Sequence, residues 1–155
     1  MLPAIGSMAP NFSLLNQDSD LISLDSFRGH NSVLLYFYPK AMTPGCTTQA
    51  CGIRDSIDRF DRISAKVLAV SPDAPDKLKK FADKEALNFI LLSDTDHAVA
   101  ESYGAWGPKK FMGKDYLGIL RYTYIIDIDG RVSHIIQNVK TKTHHLDSLQ
   151  LISDV

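Results

Sequence analysis

Apolar residues follow one another through Val33-Leu34-Leu35-Tyr36-Phe37, a run that predicts a buried strand. Two similar runs, Lys66–Val70 and Phe89–Leu92, predict further strands. Between them the spacing changes. Ile53, Ile57, Phe60 and Ile63 recur at a helical period, which predicts a helix over 47–64. Leu78, Phe81 and Ala82 mark the inner face of a second helix, opened by Ser71-Pro72-Asp73-Ala74-Pro75 and running to Glu85. Upstream, 11–15 and 21–24 read as two short strands joined by the polar turn Asn16–Asp20. Downstream come a short helix over 96–103 and a closing helix over 147–152, begun near Thr143. Between those two helices, strands over 121–127 and 131–137 flank the hairpin signal Ile128-Asp129-Gly130. Residues 104–118 lack strong periodicity and carry Gly104, Gly107, Pro108, Gly113 and Gly118, so they are assigned to loop. Strands alternating with helices, then a hairpin and a last helix, predict an α/β domain with a mixed sheet covered on both faces.

The 155 residues suit a single domain with a real core. A net charge of −1 gives no electrostatic case for binding nucleic acid or a membrane surface. No apolar run approaches the length of a membrane span, and the first residues show no basic segment followed by an apolar one. The expected location is the cytoplasm, where a close pair of cysteines is catalytic or metal-binding more often than a structural staple.

Both cysteines, Cys46 and Cys51, lie in the stretch that follows the first buried strand. Pro44-Gly45 marks a turn there, so Cys46 sits where a loop enters a helix. The free N–H groups and positive dipole end of a helix favour an anion, so a thiol at that place ionises more readily. Thr43, three residues upstream, brings a hydroxyl within reach of the sulfur or of an oxygen bound to it. Pro39 and Pro44 stiffen the loop and remove competing donors. The ordinary alternative for Cys46 is a buried structural cysteine. For the cation that would serve a thiolate, spacing leaves Arg54 and Arg121 both open.

The order Pro39-x-x-x-Thr43-x-x-Cys46 resembles the active-site signature of the peroxiredoxins. Phe37-Tyr38-Pro39-Lys40 with Thr43-Pro44-Gly45-Cys46-Thr47-Thr48-Gln49-Ala50-Cys51 is similar to their bacterioferritin comigratory protein (BCP, or PrxQ) subfamily. Nearly the whole chain shares in the resemblance. Gly6-x-x-Ala9-Pro10-x-Phe12, Leu92-Ser93-Asp94, Phe111-Met112-Gly113-Lys114 and Gly118-Ile119-x-Arg121-x-Thr123-x-x-Ile126-Asp127 follow in the same order. The resemblance implies a thioredoxin-like fold with an N-terminal β-hairpin, and a thiol-dependent peroxidase without metal, haem or other cofactor. It implies Cys46 as the peroxidatic nucleophile and Cys51 as the resolving cysteine of an intramolecular disulfide. Thr43, Pro39 and Arg121 complete the implied site, with Gly45 and Gln49 supporting it. Gln49 stands where many relatives carry Glu, so it keeps the hydrogen bonding and loses the charge. The implied partners are hydroperoxides as substrates and thioredoxin, or glutaredoxin, as reductant, with the protein a monomer.

Other function classes remain to be weighed. Five histidines and two cysteines raise a copper- or zinc-binding module on a thioredoxin-like fold, but Cys46 and Cys51 are separated by four residues, not the usual two or three. His144-His145 reads more simply as the solvated entry to the last helix. A thiol-disulfide reductase would want Cys-x-x-Cys, which the chain lacks. A peroxide sensor would share the first chemical step. Trp106, Phe111, Met112 and Tyr116 offer a wall for organic hydroperoxides or a docking patch, with capping of the core the simpler expectation.

Overall fold

The computed structural model describes residues 1–153. Its central sheet has seven strands: β1 (Ser13–Asn16), β2 (Leu21–Ser23), β3 (Ser32–Phe37), β4 (Ala65–Ser71), β5 (Ile90–Ser93), β8 (Thr123–Ile126) and β9 (Val132–Ile136). They lie in the order β2-β1-β5-β4-β3-β8-β9. The β3, β4 and β5 strands run parallel, and the pairs β1–β2, β1–β5, β3–β8 and β8–β9 are antiparallel. Along β3 the side chains alternate between two cores. Leu34 and Tyr36 join one, while Val33, Leu35 and Phe37 join the other, and all five are buried. A strand buried on both faces has no polar alternation to show, which is why its sequence reads as one apolar run.

Four helices cover the first face: α1 (Pro44–Asp55), α2 (Ile57–Arg62), α3 (Pro75–Glu85) and α5 (His144–Ile152). Each places an apolar side chain in that core, respectively Ile53, Phe60, Phe81 and Leu149. On the other face stand α4 (Ala98–Ser102), Phe12 and Tyr103. The N-terminal hairpin and the closing hairpin form where expected. Asn16 Oδ1 accepts the N–H groups of Asp18 and Asp20 (2.9 Å each) in the first turn, and Asp127 Oδ1 accepts those of Asp129 and Arg131 in the second.

Three expectations are corrected. The helix over 47–64 is two helices with a break at Ser56, and it starts three residues early, because Pro44 is pre-set for the first helical position. Residues 104–118 are not loop. They form a separate two-stranded hairpin of β6 (Trp106–Phe111) and β7 (Lys114–Ile119), closed by Met112 and Gly113 with φ of 51° and 78°. Its outer positions do not cap the core: Phe111, Met112 and Tyr116 are exposed, and of that group only Trp106 packs against the domain. Arg121 does not begin a strand. It lies in the short connection between β7 and β8.

Candidate active site

The loop from Tyr38 to Thr43 leaves the C-terminal end of β3 and delivers the chain to α1. It is pinned from below. The N–H of Ala41 donates to Asp73 Oδ2 at 2.7 Å, and the Ser71 hydroxyl donates to the same oxygen at 2.8 Å. Met42 takes a left-handed conformation with φ 66°, which costs a residue with a side chain about 1–2 kcal/mol. Thr43 is the N-cap, in extended backbone, and Pro44 and Gly45 fill the first two helical positions. Cys46 is therefore the third residue of α1, inside the first turn, with its thiol buried. The Thr43 hydroxyl does not reach the sulfur. It donates to the Lys40 carbonyl at 2.7 Å, which leaves its lone pairs to accept.

Arg121 Nη1 donates to Cys46 Sγ at 3.3 Å and to Gln49 Oε1 at 2.8 Å. Gln49 lies one turn after Cys46 on the same helix face and is fully buried, not solvated. Its Nε2 has no partner among the described residues. The guanidinium lies over Gly45, where a Cβ would sit in ordinary contact with Arg121 Nη2 at 3.7 Å. Of the two arginines, Arg121 is the one whose guanidinium contacts the sulfur. Arg54 points along the other side of α1, donating to the Glu85 carbonyl at 2.7 Å and to Asp55 at 2.9 Å.

Thr43, Gly45, Cys46, Gln49 and Arg121 thus converge, with Pro39 in the loop that feeds them. Cys51 stands apart. It is half-buried further down α1, and desolvation pushes its thiol up while Arg54 opposes. Both cysteines are free thiols. The histidines are dispersed. His144, expected to be solvated, is buried with Nε2 2.9 Å from the Thr123 hydroxyl and its ring edge-on to Tyr36. His97 stacks on Trp106. Among the described residues no three His, Cys, Asp or Glu side chains gather as metal ligands.

Sequence reasoning missed Asp73, which pins the loop. Asp73 had one legible signal, its place just after the Ser71-Pro72 break.

A mixed sheet of this topology with a buried thiol at the head of its first helix and an arginine on the sulfur defines a thioredoxin-like thiol protein. The AhpC/TSA family model matches residues 5–135. Over 140 residues the chain is 54% identical to peroxiredoxin Bcp of Escherichia coli (strain K12), covering 90% of this chain and 89% of that one. It is 42% identical over 151 residues to peroxiredoxin Bcp of Bacillus subtilis (strain 168), covering 97% and 96%. A solved structure of the Xanthomonas campestris bacterioferritin comigratory protein superposes with a TM-score of 0.87 at 30% identity, covering 92% of this chain and 90% of that one. The chain belongs to the AhpC/TSA family, among its Bcp peroxiredoxins.

Proposed function

We infer that the protein is a thiol-dependent peroxidase in which Cys46 is the nucleophile. The observation that supports this most is the Arg121 guanidinium donating to a buried thiol in the first turn of a helix. A fixed positive fork and the helix N-terminus both favour the thiolate. The thiolate attacks one peroxide oxygen, the O–O bond breaks, and the departing alkoxide or hydroxide takes up a proton as alcohol or water. Cys46 is left as a sulfenic acid. Thr43, whose hydrogen is committed to Lys40, accepts the hydrogen of the incoming peroxide and orients it. Arg121 then faces both the sulfur and the charge growing on the departing oxygen. Cys51 attacks the sulfenic sulfur, a disulfide forms and water leaves. Two electrons from a dithiol protein reductant, thioredoxin or glutaredoxin, restore the pair. The substrates are hydrogen peroxide and organic hydroperoxides. Alkyl peroxide reduction is an activity of the Xanthomonas campestris relative. The protein works as a monomer in the cytoplasm, and no described helix is long and apolar enough to cross a membrane.

Peroxide consumption with a thioredoxin system tests the reading. Cys46→Ser should abolish it, since a serine hydroxyl is not ionised at neutral pH. Arg121→Gln should lower the second-order rate with peroxide about a hundred- to thousandfold, the usual cost of one charge-assisted donor. Retained activity in the first variant, or a loss under about tenfold in the second, rules out the corresponding role.

A further inference from the structure

Arg121 is mounted on a three-residue turn. The Tyr122 N–H donates to the Leu120 carbonyl at 2.8 Å, which leaves Arg121 at the apex. Both arms of the turn are tied down. The Leu120 N–H donates to the Ala105 carbonyl at 2.7 Å, and the Tyr122 carbonyl accepts the N–H of Phe37 at 3.0 Å. Phe37 ends β3, the strand that feeds the loop to Cys46, so one backbone bond registers the arginine against the thiol. At the far end of the side chain, Nη1 donates to Cys46 Sγ and Gln49 Oε1. The tilt of the turn decides whether the two ends agree, because a long side chain multiplies a small tilt at its base into a larger shift at the guanidinium. Leu120 sets that tilt through its side chain. It rests on the backbone of β6 at Gly107, where a Cβ would meet Leu120 Cδ1 at 3.2 Å. Gly107 is buried, and its neighbour Trp106 packs against the core and stacks on His97, so β6 is firmly seated there.

We propose that Gly107 and Leu120 are positioning residues of the peroxidase site. The bare backbone at Gly107 is the seat for Leu120. Leu120 in that seat sets the turn that aims Arg121 at the sulfur and at the peroxide oxygen beside it. The β6–β7 hairpin thereby has a task in the reaction, carried out through its backbone. The inference rests on Arg121 acting in the peroxide step.

The test is the second-order rate of peroxide reduction. Gly107→Val suits a strand and fills the seat. It should lower the rate about tenfold, short of the about hundredfold loss that a whole ångström of misplacement brings, with Gly107→Ala between it and the parent. Leu120→Ala placed in the Gly107→Val protein gives the valine the room that Leu120 held. The contact is restored from the other side, and most of the rate should return. In an Arg121→Gln background Gly107→Val should cost nothing more, because the seat acts only through the arginine. A parent-like rate in Gly107→Val overturns the proposal. So does a failure of Leu120→Ala to recover the rate, or a full further loss in the Arg121→Gln background, which would mean general damage to the site. Should Gly107→Val not fold, Leu120→Ala alone unseats the turn and carries the same two expectations, a loss with Arg121 present and none without it. Arg121→Gln by itself is read separately. A loss under about tenfold there overturns the arginine's role and this inference together, whereas the Gly107 and Leu120 variants bear on the inference alone.

Discussion

Gln49 is fully buried with one end of its amide matched and the other not. Leaving a buried donor without a partner costs about 1–3 kcal/mol, so the side chain is held there by the Arg121 bond at its oxygen. The amide orients the guanidinium without drawing on its charge, and that charge is left for the sulfur. Gln49→Glu changes the balance. A carboxylate would bind Arg121 more strongly and would place a like charge beside the thiolate. The alkylation profile of Cys46 should therefore move to higher pH, with peroxide reduction at neutral pH slowed accordingly. An unchanged profile would show that Gln49 only packs. Much of this site was legible at the level of single residues. Thr43 and Cys46 stand in one short stretch whose turn and helix signals are local. The pairing with Arg121 was not legible from spacing, because 75 residues separate it from Cys46 and Arg54 is nearer in the chain. Only resemblance picked it. The burial of Gln49 was hidden for the same reason, since its partner arrives from a distant segment.

At the scale of elements, α1 holds both thiols in one regular helix. Residues five apart in such a helix are separated by about 7.5 Å of rise and about 140° of rotation, which puts their Cα atoms roughly 8.7 Å apart. A disulfide needs Cα atoms within about 7 Å and Cβ atoms pointing toward each other. The helix starts at Pro44, ahead of Cys46, so a late helix start cannot relieve the conflict. The bond requires the first turns of α1 to unwind. The rest of the helix is well held. Ile53 is fully buried, Arg54 bonds to the Glu85 carbonyl, and the His145 ring lies so close to Gly52 that a Cβ there would meet its Nδ1 at 2.5 Å. Amide exchange over residues 46–51 should thus be faster in the disulfide form than in the dithiol form, while residues 53–55 stay protected in both. Equal protection of 46–51 in the two forms would mean that Cys51 is not the partner of Cys46. Slow unwinding would leave the sulfenic acid open to irreversible oxidation. The elements that sequence reasoning recovered are those that bury a periodic face. The β6–β7 hairpin was missed because glycines and a proline interrupt it and most of its positions are exposed, so no apolar alternation marks it.

The two cores of the whole molecule meet the site from behind, and on the helix-covered side the packing includes a histidine. His144 is buried between Tyr36 and Thr123 at the start of α5. Burial pushes its pKa from 6.5 down to about 3; Asp147 raises it, while His145 and Arg121 lower it further. The folded protein therefore keeps His144 neutral where the unfolded chain would protonate it. Between about pH 6.5 and about pH 3 the unfolded state binds more protons, so stability falls as the pH drops through that window. From pH 6.5 to about pH 4 the loss is on the order of 3 kcal/mol, at about 1.4 kcal/mol per unit. Asp94 works in the opposite direction. Burial raises its carboxyl against the pull of the Ala100 and Val99 N–H groups, so the folded state holds that proton to higher pH than the unfolded one. Its shift is the smaller of the two, and the acid slope should belong to His144. His144→Gln supplies an amide that can still meet the Thr123 hydroxyl and cannot protonate. Urea midpoints measured from pH 7 to pH 4 should fall steeply for the parent protein and much less for this variant. Parallel slopes would assign the acid sensitivity to the carboxylates. The same burial has a consequence for the active site. A protonated His144 would add a cation near Arg121, so acid that opened this core would also disturb the charge balance around Cys46.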